Sequence, residues 1–283
     1  MEILKAIVHG ATQTVTYNVT GGLETEGEQD FLTFACAGPC AGRKDLKLFT
    51  HTDKVDTDGE NSLVFQGRLG TDDVIVKIPH SSRNILKEAI PHILVGYEVN
   101  KLDDTFAKVP RFHGIVELKK HPLSEHHNCA GLAMLTALHG RPLSYRLRNT
   151  TKMYDKWTLF LHAVYKVCNT LSRLGGEYTH GDLNMNNILV DDNDVYLIDF
   201  GMMSKSGNEM ERLTESVEKD HYYGSANIKS LCKLVANKSV ELAKLTLEPI
   251  VKDYPLRAER DLMQLQLPKL KTVDELVQEF APR

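Results

Sequence analysis

The chain lacks the features that would commit it to a membrane or to the outside of a cell. No stretch approaches the ~18 consecutive apolar residues that a spanning helix needs. The opening "MEILKAIVHGATQTV" is interrupted by Glu2 and Lys5, so it has no continuous apolar core for a secretory signal. Cysteines number only five, at positions 36, 40, 129, 168 and 232, an odd and scattered set that fits reduced thiols better than a disulfide framework. A cytoplasmic or nuclear setting is the expectation, and the sequons at Asn18, Asn149 and Asn237 are then silent. Formal net charge is only −4 and no block of Lys and Arg stands out, so neither nucleic acid nor an anionic membrane surface is implied as a partner. Repeats and low-complexity tracts are missing too, which leaves a folded core to be read from local pattern. With 283 residues and 42% hydrophobic content, that core is large enough for one big domain or for two lobes sharing a cleft.

Residues 1–55 mix β-favouring runs ("TVTYNVT", "LTFACA") with Gly-rich turns, and "GGLETEGEQD" reads as an exposed acidic loop. A β-rich elaboration without chemistry is expected there. From Asn61 onward "SLVFQGRL" and "DDVIVKIP" are strand-like runs joined by Gly70-Thr71-Asp72-Asp73. Helical pattern follows in "SSRNILKEAIPHILVGYEVNKL", with Ser81 or Ser82 as cap of a first piece and Pro91 opening a second. "HGIVEL" and "GLAMLTAL" are further strands. Beyond them Trp157, Phe160, Leu161, Val164, Cys168, Leu171 and Leu174 recur at helical steps, marking a long amphipathic helix that Gly175-Gly176 ends. "NILV" and "VYLID" flank the turn "DDND" as two short strands, and helical segments dominate thereafter, the last opened by a capping box at Thr272 and Glu275. The pattern predicts an α+β chain: a β-rich first lobe with one main helix, then a mostly helical second lobe.

The chemistry concentrates in "EYTHGDLNMNNILVDDNDVYLIDFG", Glu177 to Gly201. Asp182 and Asn187 bracket a loop after the long helix, and Asp199 ends the hairpin beyond it, so the three polar ends can converge. Carboxylates brought close together need a cation. Mg²⁺ takes oxygen ligands from one or two protein groups, phosphates and water, which suits Asn187 and Asp199 and leaves Asp182 to accept a proton from an attacking hydroxyl. That division of labour is what phosphoryl transfer from a nucleotide needs.

"HGDLNMNNIL" followed by "LIDFG" resembles the catalytic loop and Asp-Phe-Gly of the protein-kinase-like superfamily. The resemblance implies a bilobal kinase-like fold, with residues 56–138 as N-lobe and 139–283 as C-lobe, and ATP with Mg²⁺ as ligands. Lys77, ending "VIVK", is similar to the strand Lys that holds the α and β phosphates, and its implied partner is Glu98 in "GYEVNKL", with Glu88 the alternative. Gly59 and Ser62 stand where phosphates are covered, although the full G-x-G-x-x-G is lacking. "LAMLTALHGRPL" resembles the strand leading to the adenine site, with Met134 near the gatekeeper position and the backbone through Leu135 and Ala137 to Leu138 facing adenine.

Departures from the common pattern narrow the class. Gly181 replaces the usual Arg, Asn184 stands where Ser/Thr kinases carry Lys, and no A-P-E follows the Asp-Phe-Gly. The combination is similar to the Rio kinases and the kinase subunit of the KEOPS complex. "VEKDHYY" resembles a stretch of the latter that makes Asp220 a supporting residue for the catalytic loop. The leading expectation is an atypical Ser/Thr protein kinase with a protein substrate; a small-molecule kinase of the aminoglycoside or choline kinase type and a nucleotide-binding pseudokinase are the rivals. Cys36 and Cys40, and the cluster His121, His126, His127 and Cys129, show no paired zinc spacing and are expected to be an isolated turn and a solvated loop.

Overall fold

The computed structural model describes residues 14–18, 23–26, 29–37, 45–49, 62–79, 82–118, 132–174, 179–203, 208–219 and 226–254, the first four stretches as backbone alone. Gly59, Ser81, Gly175-Gly176, Asp220, the Thr272 capping box, Cys40, Cys129 and the three histidines near it lie outside the described residues. The chain is α+β and forms two compact units: Met1–Gly96 with Pro110–Leu138, and Tyr97–Val109 with His139–Arg283.

The first unit is built on strands β1 (Thr14–Asn18), β2 (Leu23–Glu26), β3 (Gln29–Ala37), β4 (Asp45–Phe49), β5 (Ser62–Leu69), β6 (Asp72–Pro79), β7 (Phe112–Leu118) and β8 (Leu132–Ala137). They lie in the order β1-β7-β8-β6-β5-β4-β3-β2, and β1 also pairs with β3, so seven strands close on themselves with β2 added outside. Only β1 with β7 is parallel. One expectation changes here. The acidic "GGLETEGEQD" is not a loop: β2 and β3 pair antiparallel through it, from Leu23↔Leu32 to Glu26↔Gln29. Charge is compatible with a strand when the strand lies at an edge. The early strands join the same sheet, β4 pairing with β5 and β1 with β7.

The β5–β6 hairpin turns through Gly70, whose φ of 64° is the left-handed conformation a two-residue hairpin loop demands. Side chains alternate along β6: Val74, Val76 and Ile78 are fully buried on one face, and Lys77 projects from the other, opposite Met134 of β8. Helix α1 (Ser82–Val99) covers that second face. Ile85, Ala89, His92, Val95 and Val99 form its buried stripe at three- and four-residue steps, and Ile85 and Ala89 pack with Ile115, Met134 and Phe112. Pro91 does not start a new helix as expected; α1 runs through it unbroken. The proline leaves the Lys87 carbonyl without its helical donor, at a residue that is exposed.

In the second unit the residues after α1 are bound to later elements. Asn100 donates Nδ2 to the Val109 carbonyl and accepts the Val109 amide on Oδ1, both at 2.8 Å. The second unit's own elements are β9 (Arg141–Pro142), β10 (Ile188–Asp191), β11 (Asp194–Leu197), α2 (Leu143–Asn149), α3 (Met153–Arg173), α4 (Glu209–Lys219), α5 (Ala226–Val235) and α6 (Val240–Asp253). Lys108 joins β11 through its amide to Val195 (2.7 Å) and its carbonyl from Leu197 (2.8 Å), and Thr170 of α3 donates to the Ala107 carbonyl. Helix α3 is the predicted amphipathic helix, with Trp157, Phe160, Leu161, Val164, Cys168 and Leu171 buried. Among the described residues no helix is long and apolar enough to cross a membrane.

His92 gives the fold a pH dependence. It is buried, and Nε2, 2.7 Å from the Pro110 carbonyl, donates to it. Burial pushes its pKa from 6.5 down to about 4, with the Lys77 charge adding to the effect against the Pro110 hydrogen bond. The unfolded ring binds its proton as pH falls through 6.5 while the folded ring resists until about 4. Stability is therefore full above 6.5 and declines by about 3 kcal/mol across that window. His92→Gln keeps an Nε2–H donor without a titrating ring, so its denaturant midpoint should fall less steeply than wild type between pH 6.5 and 4; parallel curves would show that His92 is not buried neutral.

Candidate functional site

Lys77 in the first unit pairs with Glu88, not with Glu98. Its Nζ lies 2.8 Å from each carboxylate oxygen of Glu88, and both side chains are mostly buried. Glu98 is at the far end of α1, half exposed and paired with Lys101 at 3.3 Å. Ten residues of helix carry it ~15 Å along the axis from Glu88 and onto another face. The buried stripe fixes this outcome, because seating Ile85 and Ala89 against Met134 turns Glu88 toward β6. Met134 is itself a buried member of that cluster.

The stretch expected to face adenine, Leu135 to Leu138, lies in and just after β8. Strand β8 is central, between β7 and β6; the Ala137 amide donates to the Arg111 carbonyl (2.8 Å) and the Leu138 amide to the Asp73 carbonyl (3.1 Å). Leu135 lies opposite Val76, so its buried side chain is on the other face from Lys77. Ser62 opens β5 opposite Pro79 and is buried.

In the second unit the residues from His180 to Gly201 form one hydrogen-bonded network. His180 is fully buried, its Nε2 is 2.8 Å from the Ile198 carbonyl, and its Nδ1 accepts the Asp182 amide at 3.3 Å. A carbonyl on one nitrogen and an amide N–H on the other define the neutral, Nε2-protonated ring. Burial lowers the His180 pKa, against the raising influence of the Ile198 carbonyl and of Glu209, Asp199 and Asp182. The ring also packs on Phe200, with centroids 5.0 Å apart. This histidine thus joins the catalytic loop to the end of the β10–β11 hairpin.

Asp182 is held from within the loop. Asn187 donates Nδ2 to the Asp182 main-chain oxygen (2.8 Å) and to Oδ2 (2.9 Å). Its Oδ1 accepts from no donor among the described residues. Asp199, two residues past β11, sits at φ 64°, ψ 66°, a left-handed conformation uncommon for a residue with a side chain. The single 3-10 turn Phe200–Met202 comes directly after it.

Gly181 explains its own identity. Its φ is 85°, and a Cβ there would overlap the Met202 carbonyl, so the Arg common at this position cannot be accommodated. Its peptide is also gripped by α4: the Gly181 amide donates to Glu209 Oε1 at 2.9 Å, and Arg212 Nη1 donates to the Gly181 carbonyl. Glu209 is almost wholly buried at 2% exposure. Its Oε2 finds no hydrogen-bond partner among the described residues. Its charge is offset by the Gly181 N–H and by the N-terminus of α4, where it is the first residue. Sequence reading missed Glu209 and Arg212. The available signal was an acidic and a basic residue one turn apart on the helix nearest the Asp-Phe-Gly.

The donor set fits a magnesium ion: Asp199 and the open Asn187 Oδ1 are hard oxygens. Among the described residues no group of three or more His, Cys, Asp or Glu could hold a metal unaided. A cation here would complete its shell from phosphate and water, as Mg²⁺ does.

An Asp and an Asn five apart, followed by an Asp delivered from a hairpin, form the residue pattern of a kinase-like phosphotransferase site. Residues 140–238 match the family model of the RIO domain. The match spans the catalytic loop, Asp199 and helices α4 and α5, and it makes the chain similar to the atypical Rio kinases. No curated protein matches the chain.

Gly181→Ala tests the close approach. It adds a Cβ where φ is positive and the Met202 carbonyl intervenes, so the melting temperature should fall by several degrees, the scale of ~2–4 kcal/mol of strain and overpacking. Glu209→Gln, which keeps an acceptor for the Gly181 amide, should lose less than Glu209→Ala. Thermal melts of the three variants decide it, and a wild-type Gly181→Ala melt would refute the overlap.

Proposed function

We propose that the protein is an atypical Ser/Thr protein kinase, transferring the γ-phosphate of ATP to a protein hydroxyl. One observation carries the reading: Asn187 is oriented by Asp182 so that its amide nitrogen is engaged and its amide oxygen is open to a cation. The same contact fixes the Asp182 carboxylate, whose other oxygen remains to take the acceptor proton. Mg²⁺ bound with ATP would neutralise charge on the phosphates. Asn187 and Asp199 would hold it, and the resemblance gives Lys77, paired with Glu88 in the first unit, the part of the strand lysine that binds the α and β phosphates.

A protein acceptor is favoured over a small molecule by the packing of the described helices beyond Gly201. The faces of α4 and α6 that carry Met210, Leu213, Val217, Ala243, Leu247 and Ile250 are buried in the core, leaving those residues no part in an acceptor pocket. Asn184 favours a second reading, nucleotide binding without turnover, because it offers no cation where common protein kinases carry Lys.

Labelled ATP with Mg²⁺ and generic protein substrates tests the proposal directly. Lys77→Met should abolish transfer, Glu88→Gln should impair it strongly, and Glu98→Gln should leave it near wild type. Asp182→Asn should lower turnover by ~10²-fold or more with Mg²⁺-ATP affinity within a few-fold, since only the base is lost. Asp199→Asn should weaken Mg²⁺-ATP binding itself. Binding without phosphoprotein in wild type selects the second reading, and absence of Mg²⁺-ATP binding by calorimetry overturns both.

A further inference from the structure

Asn184 occupies the position where a catalytic-loop Lys would face the transferred phosphate, yet its side chain is turned into the loop. Its Oδ1 accepts the amides of Asn186 (2.9 Å) and Asn187 (3.2 Å), and its Nδ2 donates to the Asp182 carbonyl at 3.1 Å. The Asn187 amide is shared with the Asn184 main-chain oxygen at 3.1 Å. One amide group thus ties the residues after Leu183 back onto Asp182.

We propose that Asn184 is a positioning residue: it sets the backbone of Asn187, and through Asn187 the orientation of the Asp182 carboxylate, in place of presenting a cation to the phosphate. The mechanical chain is short. Asn187 reaches Asp182 O and Oδ2 only while its own backbone is held against Asp182, and the two amides that Asn184 accepts are the loop's connection between those residues. An acceptor at this position is the essential feature, because an Asx-type turn closes through side-chain oxygen to backbone N–H. A lysine has no acceptor and cannot substitute. The inference deepens the proposed kinase reading and rests on it for its catalytic consequence; the loop geometry it invokes does not.

The test therefore has two arms on the full chain. In the first, amide hydrogen exchange is followed at Asn186 and Asn187 in wild type, Asn184→Ala, Asn184→Ser and Asn184→Lys, with no nucleotide present. Protection at both amides should drop by ~10-fold or more in the Ala and Lys variants and be largely kept by Ser, whose hydroxyl accepts in the same turn. In the second, transfer is measured with Mg²⁺ and ATP: kcat should fall ~10²-fold in the Ala variant, recover in Ser, and stay low in Lys, with KM for Mg²⁺-ATP rising in step with lost protection. Exchange unchanged in the Ala variant, or wild-type kcat in the Lys variant, overturns the proposal. If wild type neither binds Mg²⁺-ATP nor turns over, the kinase reading fails, and the exchange arm alone then upholds or rejects Asn184 as the residue that orders the loop.

Discussion

The second unit depends on one close approach, the Gly181 peptide lying between helix α4 and the turn after Asp199. Its amide and carbonyl are both taken by α4, from Glu209 and Arg212, and its α-carbon faces the Met202 carbonyl. The loop at Gly181, the turn at Met202 and the start of α4 are thereby fixed at one point. A side chain at this position would separate them, and the loop that carries Asp182 would lose its seat. The neutral His180 ring acts on the neighbouring peptide in the same way, tying the Asp182 amide to the Ile198 carbonyl. A protonated ring could not accept that amide, so burial and tautomer serve a geometric end.

In the first unit, packing performs the comparable task. The Lys77–Glu88 contact is mostly buried and would be costly if either partner were removed. Its geometry is secured by apolar contacts, Ile85 and Ala89 against Met134 and Ile115, and by the His92 donation to Pro110 one turn further along α1. An ion pair tolerates small displacements; a well-packed cluster does not. The helix is thus positioned by its buried stripe, and the charge pair comes with it.

The range of each interaction decides how far it was legible in the sequence. Asp182, Asn187 and Asp199 announce themselves because their chemistry is encoded in local spacing, and the strands around them in short apolar runs. The Lys77 partner was not legible in the same way. Glu88 and Glu98 are both helical, and only the seating of α1 on the sheet, a tertiary fact, selects between them. Pro91 misled for a related reason: one missing hydrogen bond at an exposed carbonyl is a small loss beside the buried stripe that continues through it. The early acidic segment looked like a loop because composition hides an edge strand, whose pairing to β3 is a backbone matter. Glu209 carried only a faint local mark, its spacing one turn from Arg212, since a glutamate opening a helix is ordinarily a solvated one.

The residues surrounding Asp182 also show how this chain divides its tasks. Position 181 is a glycine, position 180 a neutral histidine, and positions 184 and 187 are amides that bond within the loop. These groups confer shape and little charge. Near Gly181, Arg212 brings a cation and Glu209 an anion, each matched to one end of the same residue. Where the common kinase loop places a fixed ammonium beside the reacting phosphate, this one places an amide that orders its own backbone. On the proposed kinase reading, charge neutralisation in this unit would fall to whatever cation Asn187 and Asp199 hold, while the loop would contribute the placement of Asp182. Because positioning and charge neutralisation are separable contributions to phosphoryl transfer, a loop ordered by neutral groups would be sufficient for that share of the chemistry.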